Sequence, residues 1–267
     1  MYKIIVSITT SPNRIKLLEP MIQSVLLQDY EVYRIEINVP EKYKNKEEYE
    51  IPEYLSKYEK VHVYRTGPDI GPATKIVPTI MRYLNDSEVY IVSLDDDHRY
   101  PNKMVSTLLK GLVAFGSANV YTIGGINIYP GPNNTLITDN VYKTAPVDVL
   151  EGVFGVLYNP RLFKEDLMEY MNTVIQCKEC LTSDDITLSN YLASKGIPII
   201  RLNFKSFNKL ILYKQILFKK LAIKAAEKDG NAIHLMPGGH RRRYFDACKW
   251  LNDHNMFYLK VRRGKRY

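Results

Sequence analysis

Three consecutive carboxylates, Asp95-Asp96-Asp97, follow directly on the apolar run Val89-Tyr90-Ile91-Val92-Ser93-Leu94. A run so rich in β-branched and aromatic residues reads as a buried strand, and three adjacent negative charges cannot be buried with it. They must emerge at the strand's C-terminal end, where open α/β sheets place their ligands. A hard divalent cation relieves their mutual repulsion, and such an ion, held by one or two carboxylates, takes phosphate oxygens as further ligands. The chemistry implied is metal-dependent work on a phosphorylated or diphosphate-linked substrate. The competing reading is an acidic turn or helix start, where aspartate is common without any catalytic role.

Four other segments carry residue types suited to the same chemistry. Thr9-Thr10-Ser11-Pro12-Asn13-Arg14 offers hydroxyls for a ribose or base and a guanidinium fork for phosphate, or simply a helix cap and a surface arginine. In the segment Gly67 to Lys75, Gly71-Pro72 prepares a helix start whose N-terminus, followed by Lys75, would attract an anion; Asp69 could accept from a base N–H. A plain turn and cap explain that segment equally well. Ser183-Asp184-Asp185 opens an apparent helix, where acids suit the dipole. If that helix aims at the sheet edge, Asp184 or Asp185 could take a proton from an attacking hydroxyl. Finally, Asn231 to Tyr244 concentrates His234, Gly238-Gly239, His240 and Arg241-Arg242-Arg243. That composition suits a diphosphate lid, with His240, Arg241 and Arg243 as donors and His234 or His240 completing a metal's coordination; a basic surface loop is the alternative.

The elements that must position these residues alternate in type. Strands are expected at 4–8, 33–39, 61–64, 89–94, 120–129, 147–158 and 197–202, and helices at 17–27, 73–84, 102–115, 162–170 and 184–195. Such alternation predicts an α/β fold with a mostly parallel twisted sheet flanked by helices and right-handed crossovers. The 267 residues suit one large domain, and no internal repeat or long linker divides them.

Composition narrows the class further. No run of apolar residues is long enough to span a membrane, and Met1-Tyr2-Lys3 leads straight into the first strand, so a cytoplasmic protein is expected. Three cysteines do not suit a disulfide framework, and Cys177-Lys178-Glu179-Cys180 lacks the second ligand pair of a zinc site. The formal charge is +8, with basic residues concentrated in 205–228 and 241–263. That bias suits a polyanionic ligand, a nucleic acid or an anionic membrane surface. Residues 205–224 interleave lysines with apolar residues, as in a basic helix lying peripherally on a membrane or one packed on the core with a solvated lysine face.

The order of these motifs resembles that of nucleotide-sugar glycosyltransferases of the GT-A fold, and the combination is similar to the small glycosyltransferases encoded by large DNA viruses. Asp95-Asp96-Asp97 resembles the family's DxD metal motif, Thr9-Thr10 with Arg14 its nucleotide-binding edge, Gly152 to Tyr158 its acceptor-side glycine segment, and Ser183-Asp184-Asp185 the acidic pair holding the base of inverting members. The resemblance implies a Rossmann-like nucleotide-binding half at 1–100, an acceptor and catalytic half at 101–204 and a basic helical region at 205–267. It further implies Mn²⁺ or Mg²⁺ on Asp97, with Asp95 on ribose or metal and Asp96 on the nucleotide sugar. Gly152 and Gly155 would lie on the acceptor side, and Asp185 or Asp184 would act as general base. The donor would be a nucleoside-diphosphate sugar, favoured as a UDP-sugar, and the acceptor hydroxyl would belong to a glycan, lipid or protein. Two other functions compete. A sugar-nucleotide nucleotidyltransferase would share the metal-binding aspartates, but the absence of glycine from Thr9 to Arg14 disfavours it. A non-enzymatic nucleic-acid-binding protein would explain the charge but not three aspartates that repel phosphate.

Overall fold

The computed structural model describes residues 2–44, 46–131, 135–203 and 239–263, the side chains of 239–241 excepted. The central strand is β1 (Lys3–Thr9), in which Ile4, Val6 and Ile8 alternate with Ile5 and Ser7 and both sets are buried. Strand β2 (Arg34–Val39) pairs with it in parallel on one side, and β4 (Val89–Ser93) on the other. Strand β3 (Val61–Arg65) extends the parallel half beyond β2. The second half is mixed. Strand β8 (Val149–Tyr158) runs antiparallel to β4, and β5 (Val120–Pro130) antiparallel to β8. Strand β9 (Ile199–Arg201) then lies parallel to β5, with β7 (Ala145–Val147) at the edge and β6 (Leu136–Asn140) pairing with the far end of β5. The order is β3-β2-β1-β4-β8-β5-β9-β7, and six of these nine strands point the same way.

Helices cover both faces. Helices α1 (Glu19–Leu26) and α3 (Met104–Phe115) bury Met21, Ile22, Val25, Met104, Val105 and Leu108 against Ile4, Val6 and Ile8. The opposite face carries α2 (Val77–Arg82), α4 (Leu167–Val174), the short α5 (Lys178–Leu181), α6 (Asp184–Ser194) and α7 (Gly239–Asp253), packed around Ile5, Ile91, Val156 and Tyr158. A sheet apolar on both faces needs this double cover, which is why its strands read as continuous apolar runs. The fold is therefore the expected α/β class, with a mostly parallel sheet and a Rossmann-like N-terminal half.

The departures have local causes. The helix expected at 73–84 divides into a 3-10 turn at Gly71–Lys75 and α2, because Pro78 has no N–H to continue a helix from the preceding turn. The helix expected at 162–170 is displaced to Leu167–Val174, after a 3-10 turn at Pro160–Leu162. Strand β6 had no expected counterpart, since its half-buried LITDN sequence shows little apolar alternation.

The largest correction concerns the proposed lid. Residues 239–253 form a helix rather than a flexible loop, so Arg241 and Arg243 belong to helical backbone. Tyr244, Ala247, Cys248 and Leu251 recur at helical spacing and pack on the core, a stripe hidden by the surrounding charge. Residues 204–238, which include the basic stretch 205–224 and His234, lie outside the described residues, as does the side chain of His240. No helix among the described residues is long and apolar enough to cross a membrane. All three cysteines are free and buried, and Cys177 caps α5 by accepting the Cys180 N–H.

Candidate active site

Strand β4 delivers the triplet as its pattern requires. Its residues are buried from Val89 to Ser93, and the Leu94 N–H still bonds to the Ser7 carbonyl before the chain leaves the sheet. Tyr100 fixes the exit: its hydroxyl accepts from the Asp95 N–H at 2.8 Å and donates to the Val153 carbonyl of β8 at 3.2 Å. The loop after β1 folds back beside this exit. The Ser11 carbonyl accepts the N–H groups of Arg14 and Ile15, and the Tyr49 hydroxyl donates to the Thr10 carbonyl at 2.7 Å. Thr9 ends β1 opposite Asn38 and Thr10 is buried. The Arg14 guanidinium thereby reaches Asp96 and lies 2.7 Å from Asp97.

Lys75 joins two distant acidic segments. Its buried Nζ lies 2.8 Å from Asp95 Oδ1 and 2.9 Å from Asp184 Oδ2. The 3-10 turn aims the side chain, and Ser7 Oγ donates to the Lys75 carbonyl. Gly71 holds a left-handed backbone (φ +65°), and a Cβ there would meet the Leu181 carbonyl at 2.3 Å. That close approach docks the segment preceding α6 onto the Lys75 turn. Lys75 is thus engaged by carboxylates rather than open to an anion, the reverse of what its place in the sequence suggested. Burial opposes its charge, but Asp184, Asp95 and Asp185 outweigh this and hold its pKa well above the ordinary range.

Asp185 is held differently. Tyr244 of α7 donates to its Oδ2 at 2.6 Å, and the Gly152 N–H of β8 to its Oδ1 at 2.9 Å. A Cβ at Gly152 would lie 2.9 Å from Lys75 Nζ and 3.1 Å from Asp185 Oδ1, so a larger residue there would push on both side chains. Gly155, the other glycine of the segment, adopts φ +93° and faces Met104 and Leu94, on the core side rather than at the carboxylates. Burial pushes the Asp185 carboxyl up to about 7, and the neighbouring Asp184 charge adds to the rise. Lys75, the Tyr244 hydroxyl and the Gly152 N–H oppose it.

Within the triplet the environments diverge as well. Burial raises Asp96 to about 7 against the pull of Arg14. Burial also disfavours the Asp97 charge, but hydrogen bonds from His98 and Arg14 prevail and hold it at about 2. Asp95 is the most open of the three, its side chain 30% exposed against 7% and 19% for Asp96 and Asp97. Both Asp97 oxygens are engaged, by Arg14 and His98, whereas Asp95 pairs with Lys75 through Oδ1.

The fit to a divalent cation follows from this charge balance. Five carboxylates gather around Arg14 and Lys75, and the buried Asp96 Oδ2 has no hydrogen-bond partner. No three ligating side chains among the described residues form a ready cage. A Mn²⁺ or Mg²⁺ ion held by one or two such carboxylates would need phosphate or water for its other ligands.

Other expected residues fall elsewhere. Both Asp69 oxygens accept backbone N–H groups, from Lys44 and Gly71 at 2.7 Å each, so this side chain shapes the turn ahead of Lys75. Arg243 is buried in α7. Residues not singled out by the sequence are Tyr100, His98 and Tyr244. The first two follow the triplet closely, which was the available signal; Tyr244 stood at the end of the histidine-arginine segment, where its neighbours' charge drew the attention.

No protein-family model matches the sequence, and no curated protein matches it. Among solved structures, 4-diphosphocytidyl-2C-methyl-D-erythritol synthase is similar at 12% identity and a TM-score of 0.39, over 64% of this chain and 80% of that one. Residues 1–349 of S. aureus TarS are similar at 18% identity and a TM-score of 0.40, over 75% and 58%. CMP:2-keto-3-deoxy-manno-octonic acid synthetase complexed with CTP is similar at 10% identity and a TM-score of 0.43, over 82% and 99%. At these identities and TM-scores the likenesses carry no argument about residues or activity.

Proposed function

We propose that this chain is a metal-dependent glycosyltransferase that moves a sugar from a nucleoside-diphosphate donor, favoured as a UDP-sugar, to an acceptor hydroxyl with inversion. The observation that carries the reading is Lys75, which ties the carboxylates at the end of β4 to those at the start of α6. A donor-side and an acceptor-side acid thereby share one site. Asp185 accepts the proton of the acceptor hydroxyl; a carboxyl titrating at about 7 is basic enough to do so and still ionised near neutrality. Tyr244 and the Gly152 N–H orient it, and Lys75 pairs with Asp184 beside it. The acceptor oxygen then bonds to the anomeric carbon from the face opposite the departing diphosphate, which leaves with the electrons of the broken C–O bond. Asp95, the most open of the triplet, and Asp97, which would have to exchange Arg14 or His98 for the ion, are the residues that would hold Mn²⁺ or Mg²⁺, which when bound supplies Lewis-acid neutralisation of the leaving diphosphate. Arg14 offers its fork to the same phosphates, and Thr9 and Thr10 stand at the nucleoside edge.

Calorimetric titration of UDP, GDP and dTDP, each with Mn²⁺ and with EDTA, tests this. Metal-dependent binding of one nucleotide is expected; none binding to folded protein would remove the reading. A nucleotidyltransferase is the second reading, favoured by Asp95, Asp96 and Asp97 at the end of β4, since such an enzyme would need metal-binding aspartates there as well. Pyrophosphate release from a nucleoside triphosphate and a sugar phosphate would decide for it.

A further inference from the structure

A cavity of about 230 Å³ lies between β5, β6, α6 and α7. Its walls are Ile128 of β5, Leu136 and Ile137 of β6, Ile186 of α6, and Tyr244 and Phe245 of α7. Tyr244 belongs to the site already described, and Ile186 adjoins it in the chain, directly after Asp185. The Tyr244 side chain lines the cavity while its hydroxyl donates to Asp185 Oδ2. Ile128 and Ile186 are buried in the core, whereas Leu136, Ile137 and Thr138 are half-buried, so the cavity runs from the core to the surface.

Among the described residues no charged side chain lines it, and Thr138 and the Cys248 thiol are its polar exceptions. Such a lining does not suit a diphosphate or an ionic headgroup, which need paired charges when desolvated. It suits a dry, apolar group: apolar cavities of roughly 150 Å³ already bind a benzene-sized molecule. We propose that this cavity takes the apolar body of the acceptor, an aryl or short alkyl group attached to the hydroxyl that Asp185 deprotonates. The inference rests on the transferase reading and adds the acceptor's chemical class to it.

The test compares hexyl β-glucoside, kept below its micellar concentration, with methyl β-glucoside, by calorimetry on the full chain. The same measurements are made on Thr138→Trp, which fills the cavity from the half-buried β6, and on Leu136→Asn, which makes its wall polar. UDP with Mn²⁺ is titrated into each. Wild type is expected to bind the hexyl compound at least tenfold more tightly. Either variant should lose most of that advantage while binding UDP as before, which also shows that it has folded. Equal binding of the two glucosides by wild type overturns the inference, as does an advantage that survives both substitutions. A hexyl preference that is lost in the variants, in a protein that binds no nucleotide with metal, keeps the cavity as a ligand site but overturns its assignment to an acceptor.

Discussion

Asp97 and Asp185, one from each of the two neighbouring acidic clusters of this molecule, are held in opposite ways. At the end of β4, Asp97 is bound by Arg14 and His98 and stays ionised down to about 2. At the start of α6, Asp185 is bound by neutral donors, a tyrosine hydroxyl and a backbone N–H, and titrates near 7. Identical side chains thus become a permanent anion in one place and a group that titrates near neutrality in the other. When the environments of paired carboxylates drive their pKa values apart, the separation assigns the roles. Lys75 stands between the clusters, pairs with one acid from each and leaves Asp185 as the member held by neutral groups.

The sharpest way to break this arrangement is to remove its bridge. Lys75→Met leaves Asp95 and Asp184 without their buried cation and should destabilise the protein by about 3–5 kcal/mol, read from chemical denaturation at neutral pH. A loss below about 1 kcal/mol, the scale of an exposed pair, would mean that the clusters are held together by something else.

Asp185→Asn tests the acceptor-side cluster. Transfer should fall by roughly 10²–10⁴-fold while metal-dependent nucleotide binding is retained. The same variant has a thermodynamic signature. The folded pKa of about 7 exceeds the ordinary 3.8, so between these values the folded state holds the extra proton and stability falls as pH rises. Asp185→Asn should therefore melt higher than wild type at pH 8 and close to it at pH 4. A variant less stable than wild type at pH 8 would contradict the desolvated carboxyl.

On the other side, Asp95→Asn and Asp97→Asn should weaken Mn²⁺-dependent UDP binding at least tenfold while UDP binding in EDTA stays unchanged. If both variants bind UDP with Mn²⁺ as wild type does, the divalent ion is not held by this cluster. The smallest effect is expected from Tyr244→Phe. Its hydroxyl lowers the Asp185 pKa, so its loss should move the acid limb of the kcat/KM profile to higher pH by less than about one unit. A shift to lower pH would reverse the sign assigned to that hydrogen bond.

Much of the fold could be read from periodicity because the central strands are buried on both faces. The KIIVSIT and VYIVS runs have one stable setting in a doubly covered sheet. The C-terminal helix was not legible: GHRRRYFDACKWLND is basic and starts with glycine, and its apolar stripe shows only once α5 and α6 are there to receive it. The same limit applies to Lys75. A lysine after Gly71-Pro72 reads as an anion site, since nothing local reveals that two carboxylates from elsewhere will fill its coordination.

What the sequence determined alone was that Asp95-Asp96-Asp97 stand at a strand's end, because desolvation forbids such charge within it, and that Asp184-Asp185 open a helix, where acids suit the dipole. What only the tertiary structure decided was which cation meets which acid. Lys75 reaches Asp95 and Asp184 because β1 and the turn at Gly71 bring those backbones together, and Tyr244 reaches Asp185 because α7 packs beside α6. Charge and burial of single residues are local properties, but a pKa depends on the groups within a few ångströms, and in this protein those groups come from positions far apart in the chain.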